Sequence, residues 1–275
     1  MTNRPKQLRT PGILGGMGPH AHIVLEENLL EINAKKYNAT KDRDHPIWIT
    51  ISATDIPDRT ASIKENFEDC AQKLIQYCHR LERAGADFIV IPCNTSHAFF
   101  PKIQQEVKSP ILNLMEITSD YILQKFPGAH NVGILATDGT IETHLYQQSL
   151  ISRNLRPIDL LNTPDMQRLV MQSIYSPEWG VKATGQTVSV KAVDALQQSI
   201  DEMMLLKCDL IISGCTEISV AISQANLSKK YPIIDPIKVV AEETLKYIYG
   251  YTLSLIHISE PTRRYAISYA VFCLK

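Results

Sequence analysis

The sequence predicts an α/β fold made of two pseudo-symmetric α/β domains with mostly parallel sheets, and an active site in the cleft between them. Apolar runs typical of buried strands alternate with segments of helical spacing, which is the pattern of parallel sheets covered by helices on both faces. Two of these runs end in a cysteine, Cys93 and Cys215, and small polar residues follow both. Landmarks of the first half also return in the second half at a nearly constant distance.

The first half contains the elements of one such unit. A glycine-rich turn follows the first predicted strand, and the helix that precedes the first cysteine strand has apolar residues at intervals of three and four. The predicted strands are a short one that begins at Gly12 and runs into the glycine-rich turn, followed by residues 47–52, 86–93 and 110–114. The predicted helices are residues 19–36, 62–84 and 96–107, and a polar loop spans 53–60.

The second half repeats this alternation. Its predicted strands are residues 132–137, 157–161, 209–215 and 233–236. Its predicted helices are residues 116–126, 141–153, 164–175 and 188–206. Two more are predicted, one that begins at 216 and a last one that ends near 249. A loop, residues 176–185, separates two of these helices.

Three pairs of landmarks hold one offset along the chain. Gly12-Ile-Leu and Gly133-Ile-Leu are 121 residues apart, and Cys93 and Cys215 are 122 apart, as are Ile111 and Ile233. We infer two copies of one unit whose cysteine-bearing strand ends face each other, where open α/β sheets place their ligands. The predicted first domain is residues 1–114 plus 231–252, and the second is residues 115–230.

Residues 253–275 have no counterpart in the first half. They read like translated sequencing-adapter read-through, so we expect a tail outside both domains, possibly foreign to the natural protein. The alternative is an added edge strand or dimer arm. In either case Cys273 and His257 are left out of the predicted chemistry.

Composition narrows the function class. A net charge of -1 and a pI near 6.7 give no reason to expect nucleic acid or a membrane as a partner. The chain has no apolar run long enough to span a bilayer, and its amino end lacks the apolar region of a signal peptide, so we expect a cytoplasmic protein. The six cysteines include no C-x-x-C pair, so we expect neither a disulfide scaffold nor a metal site.

The two strand-end cysteines suggest acid/base chemistry. Helix amino termini lower the pKa of a thiol, and Asn94, Thr95 and Thr216 can join the helix-start N–H groups in holding a carboxylate. Two thiols on opposite sides of one bound carboxylate suit a proton transfer from one face of a carbon to the other. The alternative is that Cys93 and Cys215 are buried residues at strand ends without a role in chemistry.

Six motifs carry a resemblance to a known family. They are Gly12-Ile-Leu-Gly-Gly-Met-Gly-Pro19, Ile56-Pro-Asp-Arg-Thr60, Pro92-Cys-Asn-Thr-Ser-His-Ala-Phe99, Gly133-Ile-Leu-Ala-Thr137, Gly214-Cys-Thr-Glu217 and Ile234-Asp-Pro236. In their joint order and spacing they resemble the aspartate/glutamate racemase family, and within it the cofactor-independent aspartate racemases. The resemblance runs from Gly12 to about Gly250.

The resemblance implies racemisation by a cysteine pair, Cys93 and Cys215, without pyridoxal phosphate or any other cofactor. It also implies that Asn94, Thr95 and Thr216 hold the α-carboxylate of the substrate. The family is typically dimeric, so a homodimer is expected.

The family's motifs also match Asp58, Arg59 and Lys182. In aspartate racemases the arginine and the lysine are implicated in recognising the side-chain carboxylate, and an arginine can hold such a group bidentately. Asp58 is a candidate substrate-binding residue that orients a neighbouring group or meets the ammonium of the substrate. The alternatives are solvated loop charges for Arg59 and Lys182, and a turn-forming aspartate for Asp58. Thr137, at a strand end, is a candidate wall of the site.

The predicted function is the interconversion of L- and D-aspartate, with a small acidic amino acid as the ligand. Glutamate or a broader set of amino acids is an alternative substrate. Two other classes are a non-catalytic amino-acid-binding protein and a nucleotide-dependent oxidoreductase. The last is disfavoured because the first acidic residue after the second predicted strand, Asp55, lies 37 residues past Gly18 in a loop, too far along the chain for a ribose-binding residue.

Overall fold

The computed structural model describes residues 5–185 and 187–251. The first half contains β1 (Pro11–Gly15), α1 (Pro19–Tyr37), β2 (Ile49–Ser52), α2 (Arg59–Glu65), α3 (Phe67–Arg83), β3 (Phe88–Val90) and α4 (Phe100–Glu106). The second contains α5 (Leu114–Lys125), β4 (Asn131–Ala136), α6 (Asp138–Glu142), α7 (Leu145–Ile151), β5 (Arg156–Ile158), α8 (Pro164–Tyr175), α9 (Val181–Thr184), α10 (Val190–Leu205), β6 (Leu210–Gly214), α11 (Thr216–Gln224), β7 (Ile233–Ile234) and α12 (Pro236–Ile248). Short 3₁₀ helices span Asp42–Asp44, Thr95–Phe99 and Leu227–Lys229.

The strands form two separate sheets in which every pair is parallel. Their orders are β2-β1-β3 and β5-β4-β6-β7. A parallel bridge between Ile89 and Ile111 stands in the first sheet where β7 stands in the second. The α/β fold with two parallel sheets is therefore confirmed.

The repeat predicted from sequence offsets is visible in hydrogen bonds. The Asp87 N–H donates to Thr10 O and the Asp209 N–H donates to Asn131 O, both at 2.8 Å. In return, the carboxylates of Asp87 and Asp209 accept from the backbone N–H groups of Thr10 and Asn131. One residue type thus ties the same two strands together in each half.

The paired glycines have a packing reason. A Cβ on Gly12 would lie 2.8 Å from Ala86 Cβ, and a Cβ on Gly133 would lie 3.0 Å from Cys208 Sγ. Both distances are too short for a side chain. The strand therefore needs glycine at this point in both halves, so that the preceding segment of the cysteine strand can approach closely.

The halves share a core. One apolar cluster joins Leu25 and Leu29 of α1, Ile117 of α5 and Leu245 of α12 to residues of both sheets. A second apolar cluster packs against the first sheet, and a third packs against the second sheet. This shared core fixes the two halves against each other.

Three predicted elements are wrong in detail. The helix expected over 62–84 is two helices, α2 and α3, because Asn66 between them has a non-helical backbone (φ −153°, ψ 57°). The helix expected over 141–153 is likewise split, at His144, which lies in the left-handed region (φ 54°). The strand expected over 110–114 is a single bridge, because Asn113 caps α5 by accepting from the N–H groups of Met115 and Glu116.

The predicted domain bounds stay a prediction. β7 pairs with β6 in the second sheet, whereas α12, which follows it, packs against α1 and α5. Residues 253–275, with Cys273 and His257, lie outside the described residues. Within the described part of the chain, no helix combines the length and the apolar character needed to cross a membrane.

Candidate active site

A pocket between the two sheets collects side chains from both halves. It is lined by Met17, Arg59, Cys93, Asn94, Thr95, Thr137, Tyr175, Lys182, Cys215, Thr216 and Glu217. Met17, Cys93, Thr137 and Cys215 all follow the carboxyl ends of strands, β1, β3, β4 and β6 in turn. Eight of the nine residues singled out in the sequence are therefore brought together here, and Asp58 is the exception.

The two cysteines are free thiols at equivalent positions, and each is only 8% exposed. Their surroundings differ in charge. Arg59 lies beside Cys93, while Cys215 Sγ donates to Glu217 Oε2 at 3.0 Å. One thiol therefore faces a cation and the other faces an anion.

Cys215 departs from the sequence prediction of a lowered thiol pKa. Burial and the negative charge of Glu217 raise the pKa of Cys215 well above its ordinary value, although the nearby Lys182 ammonium acts in the opposite direction. The favourable position at the start of α11 is outweighed, because a buried carboxylate disfavours a second negative charge beside it. Without substrate, Cys215 is a protonated thiol.

Arg59 is a buried cation beside Cys93. It is 8% exposed, and its guanidinium donates to the carbonyl oxygen of Pro57 at 2.9 Å. Burial alone would lower the pKa of Arg59, but its interactions with Cys93 and Asp58 outweigh burial and raise it. Its Nε has no hydrogen-bond partner among the described residues, which leaves a buried donor for a ligand.

His97 supports the backbone of the first cysteine. Its Nδ1 donates to Cys93 O at 3.0 Å and its Nε2 accepts from the Leu114 N–H at 3.2 Å. Burial lowers the pKa of His97, so the ring is neutral and can make both bonds. The imidazole therefore fixes the Cys93 carbonyl and is not among the residues that line the pocket.

Asn94 presents a donor to the pocket. Its Oδ1 accepts from Tyr146 OH at 2.5 Å, while its Nδ2 is buried with no partner among the described residues. Because the amide oxygen accepts from Tyr146, the N–H₂ is left for a ligand. A buried N–H₂ without a partner is costly, so an anion at this place would satisfy it.

Three threonine hydroxyls join the halves next to Asn94. Thr95 Oγ1 lies 3.0 Å from both Thr137 Oγ1 and Thr140 Oγ1. Gly139 permits this approach, since a Cβ there would lie 2.9 Å from Thr95 Cγ2. Thr137 thus contacts the carboxylate-binding segment of the other half, besides forming part of the wall.

Lys182 is already paired in the substrate-free site. Its Nζ donates to Glu217 Oε1 at 2.6 Å and lies 5.4 Å from the centre of the Tyr175 ring. The other oxygen of Glu217 accepts from Cys215 and from Thr216 Oγ1. Burial would raise the pKa of Glu217, but the Lys182 charge and these bonds lower it, so Glu217 is an anion that connects the lysine to the thiol.

Asp58 has a supporting position. It is exposed, it caps α2 by accepting from the Ala61 N–H at 3.0 Å, and it accepts from Tyr175 OH at 3.2 Å. These contacts fit the orienting role left open for Asp58. It holds the helix that begins with Arg59 and the tyrosine that faces Lys182.

Sequence reasoning missed three residues of the site and underused one. Met17 and Tyr175 line the pocket, and Tyr146 orients Asn94. Glu217 entered the sequence analysis only as the last residue of the Gly214-Cys-Thr-Glu217 motif, without a role. The position of Glu217 two residues after Cys215, and that of Met17 in the glycine-rich turn, were available signals. Tyr146 and Tyr175 lie on helices that are far from both cysteines along the chain.

A metal centre is a separate question. Within residues 5–185 and 187–251, no group of three or more His, Cys, Asp or Glu side chains is placed to hold a metal ion. The expectation of a site without metal or cofactor stays a prediction.

Comparison with known proteins matches this chain to racemases. The chain is 28% identical over 243 residues to the broad specificity amino-acid racemase RacX of Bacillus subtilis, covering 87% of this chain and 98% of that one. An aspartate racemase structure from Picrophilus torridus superposes with a TM-score of 0.73 at 28% identity, covering 90% and 96% of the two chains. A glutamate racemase of Francisella tularensis, solved in complex with D-glutamate, shares the fold at 17% identity, with a TM-score of 0.58 over 92% and 85% of the chains.

A family model extends the match over most of the chain. Residues 14–244 fit the model of the Asp/Glu/hydantoin racemases. This range includes both cysteine strands and every residue that lines the pocket. The chain therefore belongs to the Asp/Glu/hydantoin racemase family.

Proposed function

We propose that this chain is a cofactor-independent amino-acid racemase that interconverts L- and D-aspartate by proton transfer between Cys93 and Cys215. The observation that carries the proposal is one pocket into which two equivalent strand ends each deliver a thiol. Binding an amino acid needs neither thiol, which argues against a protein that only binds its ligand.

The α-carboxylate is held by the donors of both halves. Asn94 Nδ2 offers a buried N–H₂ without a partner, and the hydroxyls of Thr95 and Thr216 lie on the same wall. In this proposal, the Cα of the bound substrate lies between the two thiols. The donors also stabilise the enolate-like charge that develops on the carboxylate when the α-proton leaves.

The proton transfer uses the two thiols in turn. In one direction the thiolate of Cys93 takes the α-proton from one face, and the Cys215 thiol gives its proton to the opposite face. The protonated state of Cys215 in the substrate-free site suits it to be the donor in this direction. The reverse direction begins with the thiolate at Cys215, so the cycle balances in protons.

The side-chain carboxylate has two candidate partners, Arg59 and Lys182. Arg59 Nε is a buried donor without a partner among the described residues, and Lys182 holds the carboxylate of Glu217 in the absence of substrate. The ammonium of Lys182 has three donors, so it can bind a substrate carboxylate while it keeps its contact with Glu217. The likeness to the Picrophilus torridus aspartate racemase supports aspartate as the first candidate.

A broader substrate range is the second candidate. The Bacillus subtilis relative carries the name of a broad specificity amino-acid racemase, and the ion pair at the side-chain end of this pocket has no net charge. A homodimer and a cytoplasmic location remain predictions from the resemblance and the sequence.

The test is hydrogen exchange at Cα in heavy water. The purified chain is incubated with L-aspartate, and mass spectrometry and chiral chromatography follow deuterium and D-aspartate. We expect every D-aspartate molecule to carry deuterium at Cα, without added pyridoxal phosphate. A protein that binds aspartate but exchanges no α-proton from any amino acid of a panel would contradict the proposal.

A further inference from the structure

A second cavity adjoins the active-site pocket across the Lys182–Glu217 ion pair. It contains ≈ 760 Å³ of space, counting its open mouth. Lys182, Thr216 and Glu217 line both this cavity and the pocket with the thiols. The rest of its wall includes the first turn of α1, with Pro19, and the apolar side chains of Val181 and Val220.

The ion pair forms the partition between the two spaces. The Lys182 Nζ and Glu217 Oε1 are 2.6 Å apart, and a Cβ on Gly18 would lie 3.0 Å from that same Oε1 and 3.6 Å from Nζ. A side chain that extends from Cα toward the second cavity therefore meets both charges. Because the two charges cancel, the partition repels neither an anionic nor a cationic group.

We propose that the second cavity is a subsite for the far end of longer substrate side chains, and that the Lys182–Glu217 pair accepts them by charge of either sign. This inference rests on the proposed racemase function. A side-chain carboxylate binds Lys182, whose ammonium has three donors and keeps its contact with Glu217. A side-chain ammonium takes the place of Lys182 on Glu217, so ornithine and lysine are substrates as well as aspartate.

The walls fit such side chains. The methylene groups of ornithine or lysine would pack against Pro19, Val181 and Val220, while the ammonium stays at Glu217. Glu217 remains anionic because Lys182 and the hydrogen bonds to its carboxylate outweigh burial. A buried carboxylate needs a positive partner, which the substrate can supply once Lys182 turns away.

The experiment measures Cα exchange in heavy water for L-aspartate, L-ornithine, L-lysine and L-alanine. It uses the wild-type chain and two matched variants, Lys182→Met and Glu217→Gln. Alanine, which reaches neither charge, is the internal reference, since the ratio to alanine cancels any effect of a variant on the thiols. Because hydrogen bonds to charged groups are strong, we expect ratios to change by about tenfold to a hundredfold.

The two variants should change selectivity in opposite directions. In Lys182→Met the kcat/KM for aspartate should fall relative to alanine while that for lysine is kept or rises. In Glu217→Gln the kcat/KM for lysine should fall relative to alanine while that for aspartate is kept. Equal changes for all substrates in both variants would overturn the inference.

A chain-length series in the wild type needs no variant. Exchange of 2,3-diaminopropionate, whose ammonium is too close to Cα to use the second cavity, should be slower than exchange of ornithine. A wild type that exchanges aspartate but neither ornithine nor lysine overturns the inference and leaves the proposed function standing. A wild type that exchanges none of these amino acids overturns the proposed function itself.

Discussion

Replacing Tyr146 by phenylalanine removes one hydroxyl that orients the carboxylate donor of the site. Tyr146 is fully buried on α7 of the second half, and its OH donates to Asn94 Oδ1 of the first half at 2.5 Å. Burial raises the pKa of Tyr146 well above its ordinary value, so the hydroxyl remains a donor at any working pH. Without it, Asn94 Oδ1 has lost its partner in a residue that is only 2% exposed.

The size of the effect follows from that lost bond. A buried acceptor without a partner costs about 1–3 kcal/mol, and the amide can avoid part of this cost by rotating. Rotation would turn the oxygen toward the substrate carboxylate in place of Nδ2. We therefore expect kcat/KM to fall by about 5- to 150-fold, for every amino acid alike, because all share the α-carboxylate.

Tyr249→Phe is the matched control. Tyr249 OH donates to Asn33 Oδ1 at 2.6 Å, again between buried residues, but remote from the pocket. Urea unfolding should show a similar loss of stability in both variants, about 1–3 kcal/mol, while racemisation falls only in Tyr146→Phe. The reasoning is refuted if Tyr146→Phe loses stability like its control yet keeps the wild-type kcat/KM.

Two further predictions concern charge and packing. Glu217→Gln should lower the pKa of Cys215, because the carboxylate that helps to raise it is gone. The pH profile of Cys215 alkylation, followed by mass spectrometry, should therefore move to lower pH. An unchanged profile would show that burial alone sets the pKa of Cys215. Because the pKa of Cys215 is raised in the folded chain, the protonated thiol stabilises the fold below the ordinary thiol pKa, and this stabilisation is lost as the pH rises through the folded-state pKa. The free energy of unfolding of the wild type should therefore fall more steeply at alkaline pH than that of the variant. Gly139→Ala should reduce activity and cost about 1–3 kcal/mol of stability, because its Cβ would lie 2.9 Å from Thr95 Cγ2, whereas Gly128→Ala, with nothing within 4 Å, should leave both unchanged.

The sequence predicted the parts of the structure that local patterns determine. Buried parallel strands are apolar throughout, and the offset between Cys93 and Cys215 predicts that the two strand ends occupy equivalent positions. The residues directly after these cysteines, Asn94, Thr95 and Thr216, come to the same pocket because strand ends fix where the next residues lie.

The breaks within helices were harder to predict. Asn66 and His144 interrupt otherwise helical spacing through backbone conformation alone, φ −153° in one and φ 54° in the other. Neither site carries a proline or a glycine that would have indicated the break. Apolar spacing continues through both positions, since each pair of helices buries a face of the same core.

The long-range contacts of the site were invisible in the sequence. Tyr146 of the second half reaches Asn94 of the first from 52 residues away, and Lys182 reaches Glu217 within the second half from 35 residues away. Such pairs depend on how distant elements pack against each other, which no spacing rule supplies. The raised pKa of Cys215 follows from burial and from the negative charge of Glu217, so the prediction of two similarly activated thiols was wrong at that cysteine.

The central claim is that both thiols take part in one proton transfer. The most direct test is the rate at which Cys93→Ala and Cys215→Ala convert L-aspartate to D-aspartate, measured by chiral chromatography. Cys78→Ala, which changes a buried thiol in the core of α3, is the control for the loss of a cysteine as such. We expect each active-site variant to lose about 10²- to 10⁴-fold in rate and the control to keep it, whereas full activity in either active-site variant would contradict the two-thiol mechanism.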